Sequence, residues 1–424
     1  MTDTIFALSS GAPPAGIAVI RISGPGARGA LDALGCGQMP VRRPVLRSLT
    51  DGAGALLDEA LVLWLPGPAT ATGEDLAELH CHGGRAVVAA VLATLGGFSG
   101  LREAEPGEFT RRAFTNGRID LAEAEGLADL LSAETEWQRR GALLAAGGEL
   151  SRRVEGWRDK VLLFSAQVEA VIDFSDEDDV GEMPLAFGEE IAALQQEIGR
   201  ALARPSADRL RNGVRVVFGG PPNAGKSSLF NAILQESAAI VSSEAGTTRD
   251  VIERSVSIDG VPFVLVDTAG LRSDGIGEVE AIGIERAQEQ IGRAEIVLWL
   301  GEPGDCPGGA IQVVPKGDLP GVHSLTGGFV VSSLSGEGVD RLIEEIVARG
   351  KNCLPPPDKI AFSRRQKTLV QGAADALASA LANRDLLVVA ENLRRARVAF
   401  DGITGRSSTE DMLDALFGRF CIGK

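Results

Sequence analysis

Cysteine is scarce and unpatterned. The five, Cys36, Cys81, Cys306, Cys353 and Cys421, form no C-x-x-C pair and are odd in number. That excludes a disulfide framework and a zinc ribbon, and points to reduced thiols of the cytosol. No run approaches the ~18 apolar residues of a membrane span. The opening MTDTIFALSS has no basic stretch ahead of an apolar one. A soluble, cytoplasmic protein without a membrane partner is the expectation. Basic residues are outnumbered, 42 Lys+Arg against 58 Asp+Glu for a net charge of −16, so any nucleic acid must find a local basic patch. The 53 glycines have no G-X-Y period, which excludes collagen, and there is no internal repeat or low-complexity tract. What is present is ordinary globular composition, 44% hydrophobic and 24% charged. A chain of 424 residues amounts to roughly three domains at ~150 residues each.

The first ~118 residues read as strands with turn punctuation. Gly16–Ser23 and Glu59–Leu65 are β-rich runs bounded by Gly and Pro. Leu76–His82 alternates, with Ala77, Leu79 and Cys81 on one face and Glu78, His80 and His82 on the other. From Leu121 to about Ala203 the pattern is helical, with Leu127, Leu130 and Leu131, then Val161, Leu162, Phe164 and Val168, spaced for a bundle face. The acidic run Asp176–Asp179 is expected to end one helix. After Leu210 strands and helices alternate, the sign of a parallel sheet. Pro355-Pro356-Pro357 marks a linker, and 362–420 returns to helix. The fold class is therefore a multidomain α+β and α/β chain: a β-rich N-terminal domain (1–118), a helical domain (119–208 plus 350–424) and an inserted α/β domain (209–349). Residues 351–424 alone carry more base than acid, 12 against 8. Their clusters Arg364-Arg365-Gln366-Lys367 and Arg394-Arg395-Ala396-Arg397 suit either a solvated helix face or an RNA-facing patch.

The chemistry is concentrated in 209–349. Gly220-Pro221-Pro222-Asn223-Ala224-Gly225-Lys226-Ser227 is a G-x-x-x-x-G-K-S loop between the strand Val214–Phe218 and the helix Ser228–Leu234. Its glycines let backbone N–H groups wrap phosphates, Lys226 reaches the β- and γ-phosphate oxygens, and the Ser227 hydroxyl holds Mg²⁺. Gly246-Thr247-Thr248-Arg249-Asp250 supplies a further hydroxyl for the metal. Asp267-Thr268-Ala269-Gly270 follows the apolar strand Phe263–Val266, so that Asp267 at a strand end can polarise a magnesium-bound water. This order and spacing makes a P-loop nucleotide hydrolase. Lys316-Gly317-Asp318 is placed to read the base, as in Asn-Lys-x-Asp of GTPases, with Ser332-Ser333-Leu334 as closing loop. The Asn position holds Pro315, which offers no polar side chain and no N–H. Ten residues, 301–310, separate the strands Ile296–Leu300 and Ile311–Val314. A parallel crossover needs about a dozen or more, so the connecting helix should be missing or severely shortened. Leu271 stands where small GTPases place a water-aligning Gln. Glu280 is the nearest plausible carboxylate, with Glu278 and Asp274 competing on sequence alone.

Together these motifs and their flanks resemble the MnmE (TrmE) family of tRNA-modification GTPases, over nearly the whole chain. The resemblance rests on Ile20-Arg21-Ile22-Ser23-Gly24, on Thr72-Gly73-Glu74-Asp75 with Glu78 and His82-Gly83-Gly84, and on Pro106-Gly107-Glu108-Phe109-Thr110. It continues through Arg112-Ala113-Phe114, Asn116, Asp120-Leu121, Ala124-Glu125, the P-loop, GTTRD and DTAGLR. Val279-Glu280, Gly283-Ile284-Glu285-Arg286 and the last four residues, Cys421-Ile422-Gly423-Lys424, complete it.

The resemblance implies an N-terminal folate-binding and dimerising domain, a helical domain, and a GTPase domain inserted in it. It implies that, with a flavin-dependent partner, MnmG, the chain modifies carbon 5 of the tRNA wobble uridine (an aminomethyl or carboxymethylaminomethyl group). The one-carbon unit would come from a 5-formyl- or methylene-type tetrahydrofolate. Folate contacts carry over to Arg21, Glu78, Arg118 and Lys424. GTP contacts fall on Asn223-Ala224-Gly225-Lys226-Ser227-Ser228, on Ser242, Thr247 and Thr248, on Asp267-Thr268-Ala269-Gly270, and on Lys316 and Asp318. Mg²⁺ falls to Ser227 and Thr248. Activation by K⁺ is implied through Asn223, Ser242, Glu244 and Thr247, and the catalytic carboxylate is matched by Glu280. Read from the residues alone, Glu78 with His80 and His82 could equally be a metal pair, but no third ligand is evident. Cys421 is a lone thiol and is not assigned a role. The alternative function is an RNA- or ribosome-assembly GTPase switch, or a degenerate GTPase domain that only signals. Folate binding and potassium-dependent hydrolysis separate it from the first.

Overall fold

The computed structural model describes residues 3–173, 183–184, 186–236, 239–240, 252–268, 287–319, 328–406 and 410–424. It divides into two compact units, residues 1–128 with 401–424, and residues 129–400. Compactness thus groups 401–424 with the N-terminal strands, where the sequence alone suggested a helical domain.

In the first unit, six strands form one sheet: β1 (Thr4–Leu8), β2 (Ile17–Ser23), β3 (Val45–Thr50), β4 (Leu56–Leu65), β5 (Leu76–His82) and β6 (Leu101–Glu103). Their order is β3-β4-β5-β2-β1-β6, antiparallel except for β1 with β6. The alternation expected in β5 is present: Ala77, Leu79 and Cys81 join Ile20, Ile22, Ala60 and Val62 in the core. The helices α1 (Ala27–Ala33) and α2 (Arg85–Gly96) cover that face through Leu31, Val91 and Leu95. Burial pushes the Cys36 thiol up to about 11 and that of Cys81 up to about 12, which leaves both unreactive at neutral pH. The opposite face carries Arg21 across from Glu78 and Val19 across from His80.

The chain ends of this unit pack together. Helix α3 (Glu108–Thr115) meets Glu410–Phe417 through Phe114 and Phe417, ring centroids 6.0 Å apart. Arg111 pairs with Glu410 at 2.6 Å and with Asp414 at 2.8 Å. Gly423, at φ +94°, lies so close to β1 that a Cβ there would stand 2.1 Å from the Leu8 carbonyl oxygen. The C-terminal residues are therefore clamped on the first strand.

Helix α4 (Leu121–Leu131) corrects one expectation. Its buried residues are Leu121, Ala122, Ala124 and Gly126, whereas Leu131 is 48% exposed. Leu127 packs against the Leu121, Ala124 and Phe417 cluster but Leu131 does not, so the leucine spacing marked the buried face only in part.

The second unit combines helices with a seven-stranded sheet. Helices α5 (Glu136–Ala146), α6 (Glu149–Asp173), α7 (Phe187–Leu202) and the short α8 (Ala207–Asn212) lead into the sheet. Strands β7 (Val214–Gly219), β8 (Ala239–Ile240), β9 (Ile252–Ile258), β10 (Val261–Asp267), β11 (Ile296–Trp299), β12 (Ile311–Val314) and β13 (Phe329–Val330) follow, with α9 (Lys226–Glu236) after β7. The order is β13-β12-β11-β7-β10-β9-β8, parallel from β13 to β10 and antiparallel beyond. The eleven-residue link from β11 to β12 holds only a 3₁₀ turn, Pro303–Asp305. The shortened crossover follows from its length, as expected.

The chain returns through α10 (Val339–Cys353) to α11 (Arg364–Ala382) and α12 (Leu386–Thr404). Trp157, 1% exposed, packs against Phe362 just before α11 and Phe400 near the end of α12, centroids 6.1 and 6.0 Å away. The start of α11 and the end of α12 therefore lie together, and the two helices run antiparallel. The bundle expectation holds in α6, where Val161, Phe164 and Val168 are buried.

Candidate functional site

The nucleotide site grows from the centre of the sheet. β7 lies between β10 and β11, both parallel to it, and the P-loop leaves its C-terminal end. Three residues there have positive φ: Gly220 (135°), Asn223 (58°) and Gly225 (92°). At Gly220 a Cβ would meet the Leu300 backbone at 3.0 Å, so only glycine fits beside β11. Lys226 is 6% exposed, and its ammonium donates to the carbonyls of Gly220 (3.0 Å) and Pro221 (2.7 Å). The cation thus lies under the loop that would carry phosphates. Ser227 and Ser228 are exposed at the start of α9.

Asp267 ends β10 level with Phe218 of β7 and is 2% exposed. Thr268 donates from Oγ1 to the Phe218 carbonyl at 2.6 Å. The strand-end carboxylate is therefore brought beside the beginning of the P-loop, as the sequence suggested. Ser242, Glu244, Thr247, Thr248, Ala269, Gly270, Glu280 and its competitors Glu278 and Asp274 lie outside the described residues.

The base-reading segment follows β12. Pro315 approaches the P-loop, 3.6 Å from where a Cβ on Gly225 would stand. Lys316 turns the chain at φ 61° and is exposed. Gly317 donates its N–H to Val331 at 2.9 Å, which ties this loop to the one after β13. Ser332, fully buried, donates from Oγ to Asp318 Oδ1 at 2.7 Å and accepts the N–H groups of Leu334 and Ser335. The sequence flagged Ser332 only as part of a closing loop; in the structure it fixes the Asp318 carboxylate.

The second candidate site lies on the first unit. Arg21 donates from Nε (3.1 Å) and Nη2 (2.8 Å) to Glu78 Oε1, and His80 Nε2 is 3.3 Å from Glu78 Oε2. Burial alone would raise the Glu78 carboxyl, but the Arg21 hydrogen bonds outweigh it and hold it below the usual carboxylate range. Phe109 supports the arginine, whose Cζ stands 5.8 Å from the ring centroid. Arg118 donates to the Thr70 carbonyl at 3.1 Å, and its side chain packs by Gly73, in the loop that leads to β5. Gly423 brings Lys424 to Leu8 and Ser9, across from Ile20 and Val19 on β2. Along β2, at ~3.3 Å per residue, Arg118 thus belongs to the Ser23 end and Lys424 to the Val19 end, with Arg21 between. His82 bonds to Asp58 instead, at 2.7 Å, away from Glu78. No group of three or more His, Cys, Asp or Glu able to hold a metal ion occurs among the described residues.

Comparison with known proteins bears on both sites. A family model for the TrmE N-terminus matches residues 4–118, and one for the MnmE helical domain matches 121–421. The tRNA modification GTPase MnmE of Erythrobacter litoralis is 58% identical over 423 residues, covering all of both chains. That of Rhizorhabdus wittichii is 56% identical over 428 residues, covering 100% of this chain and 97% of the relative. This chain belongs to the MnmE family. Among solved structures, Aquifex aeolicus Era bound to GDP·AlF4⁻ is 22% identical over 42% of this chain and 69% of its own, at a TM-score of 0.24, a likeness too slight to add to this.

Family membership gives meaning to a cluster that sequence reading left unassigned. Thr72-Gly-Glu-Asp, Pro106-Gly-Glu-Phe-Thr and Arg112-Ala-Phe meet in one buried ion network. Arg112, fully buried, pairs with Glu108 (2.9 Å), Glu74 (3.1 Å) and Asp3 (3.1 Å). Glu74 also accepts from Ser23 Oγ at 2.8 Å, and Glu108 is shared with Arg102 at 2.6 Å. These MnmE motifs therefore act as a scaffold, joining β1, the 70–75 loop and α3, which carries Phe109 and leads into Arg118.

Proposed function

We propose that this chain hydrolyses GTP and uses the cycle in modifying carbon 5 of the tRNA wobble uridine, with a flavin-dependent MnmG-type partner and a tetrahydrofolate one-carbon donor. The observation that carries the reading is the P-loop: a buried Lys226 beneath a loop with positive φ at its two glycines, beside the strand-end Asp267. The match of the N-terminal domain to TrmE favours it over an assembly switch, which needs no such domain.

The residues present suit the implied groups. Ser227, open at the first turn of α9, would share Mg²⁺ with Thr248, and the ion would supply positive charge to the phosphates. Asn223 would offer its side-chain oxygen to K⁺, alongside Ser242, Glu244 and Thr247. This chain's own work is then positional. Backbone N–H groups of the loop hold the phosphates, Lys226 neutralises their oxygens, and Asp318, held by Ser332, accepts from the guanine edge. Glu280 orients the attacking water.

For the folate, the donor chemistry fits. Arg21, Arg118 and Lys424 oppose an anionic ligand, and Glu78 can accept N–H groups of a pterin as it accepts those of Arg21. The buried Ser9 hydroxyl, which has no hydrogen-bond partner, lies beside Gly423 and leaves an acceptor–donor free at that spot. A homodimer through this domain, as the family resemblance implies, accompanies the reading.

The test is hydrolysis of GTP and of ATP in potassium and in sodium. GTP turnover should rise strongly in potassium only, and Glu280→Ala should lower turnover while nucleotide affinity stays nearly unchanged. Equal rates in both salts would overturn the ion assignment. Undiminished turnover of Glu280→Ala would overturn its role.

A further inference from the structure

The two basic clusters of the C-terminal quarter differ once folded. On α12, Arg394 is taken up by Glu391 at 2.7 Å, and Arg395 leans on Asn392. The other cluster gathers cations from separate segments. Asp208 Oδ2 accepts the Arg364 N–H at 2.5 Å, and Ser206 Oγ donates to the Phe362 carbonyl at 3.2 Å. These bonds bring Arg204 and Arg209, around α8, against Arg364, Arg365 and Lys367 at the start of α11.

Among the described residues, no carboxylate forms an ion pair with Arg204, Arg209, Arg364 or Lys367. Arg204 donates to the Ile360 carbonyl at 3.3 Å, and Lys367 to those of Leu202 (3.1 Å) and Arg204. Asp208 is engaged by the Arg364 N–H and the Ser206 hydroxyl, with Arg211 further off at 3.9 Å. Burial first, and the nearby Arg209 second, push the Lys367 ammonium below its usual range, with Asp208 opposing them. Arg209 and Arg364 are exposed. Such crowding destabilises a fold unless an anion relieves it.

Shape argues for nucleic acid over an acidic protein. No exposed large apolar side chain among the described residues falls within 200–211 or 359–368. A protein interface would be expected to offer an apolar or aromatic anchor, whereas phosphates need only forked cations. We propose that the phosphate backbone of tRNA lies on this surface, with Arg209 and Arg364 as its outer contacts. The proposal rests on the reading of the chain as acting on tRNA. It also sets the RNA against both segments through which the chain enters and leaves the nucleotide-binding sheet.

The experiment uses the full chain and fluorescently labelled bulk tRNA, with anisotropy measured over a range of KCl concentrations. Arg209→Ala combined with Arg364→Ala should weaken binding on the order of tenfold or more at 0.1 M salt. The slope of log K against log salt should fall by about 1.5, as two phosphate contacts are lost. GTP hydrolysis without RNA should be unchanged, because neither residue is at the nucleotide site, and Arg394→Ala with Arg395→Ala should bind tRNA like the wild type. Unchanged affinity and slope in the Arg209/Arg364 variant would overturn the surface assignment. A wild type that binds no tRNA would overturn the functional reading itself. Loss of binding to the flavoenzyme partner, with tRNA binding intact, would reassign the surface to an acidic protein.

Discussion

Replacing Arg112 by Met removes a buried guanidinium and leaves its carboxylates in place. Breaking a buried pair from one side costs ~3–5 kcal/mol, because the remaining charge is left without its partner. Here the lower end applies. Asp3 is 38% exposed, and Arg102 still serves both Asp3 and Glu108 at 2.7 and 2.6 Å. Glu74 loses its cation and keeps only the Ser23 hydroxyl. For a unit of about 150 residues, ~3 kcal/mol lowers Tm by roughly 6–12 °C.

The loss should depend on pH in a defined sense. Burial opposes ionisation of Asp3 and Glu108, but the arginines outweigh it and hold both carboxyls below their usual range. Groups depressed in the folded state stabilise fully above the unfolded carboxylate pKa, about 4–4.5, and progressively less as pH falls toward the folded values. The gap between wild type and Arg112→Met should therefore be largest at pH 7 and shrink below about pH 4.5. Differential scanning calorimetry of the full chain at pH 7 and pH 4 reads both. If no transition of Arg112→Met moves by more than about 2 °C at pH 7, or the gap widens in acid, the network does not carry the stability assigned to it.

Pro315→Asn should tighten GDP by up to about tenfold, the equivalent of one recovered hydrogen bond of ~1–1.5 kcal/mol, and leave adenine nucleotides unchanged. Unaltered GDP affinity in a titration would show that residue 315 is not at the base. Gly423→Ala places a Cβ against the Leu8 carbonyl at a φ of +94° and should lift the tail. Like deletion of 421–424, it should abolish wobble-uridine modification in a reconstituted assay while phosphate release continues. Normal modification by either variant would remove Lys424 from the folate site.

What was legible in the sequence was local. The P-loop needs its glycines and lysine at fixed spacing on one strand–helix junction, and Gly220, Gly225 and Lys226 are placed accordingly. The shortened β11–β12 crossover followed from counting residues. The buried network did not show itself, because Arg112 and Asp3 are 109 positions apart and exposed and buried arginines look alike in a sequence. The face of α4 was read only in part, because Ala122, Ala124 and Gly126 share its burial with Leu121, and small residues leave little hydrophobic period. The basic clusters were read as two equal runs, whereas Glu391 takes up Arg394 of one and the fold adds Arg204 and Arg209 to the other.

The meeting of α8 with the start of α11 has a consequence for how the chain can be cut. Ala207 donates its N–H to the Phe362 carbonyl at 2.9 Å, and α7 packs along α11. Everything between 207 and 362, the whole nucleotide-binding sheet included, is thus a loop whose two ends are one hydrogen bond apart. Its removal would leave a gap that a linker of a few residues can close. Helices α6, α7, α11 and α12 would then keep one another, while α5 would lose β10, and a chain without its GTPase could be made to ask which steps on tRNA require hydrolysis.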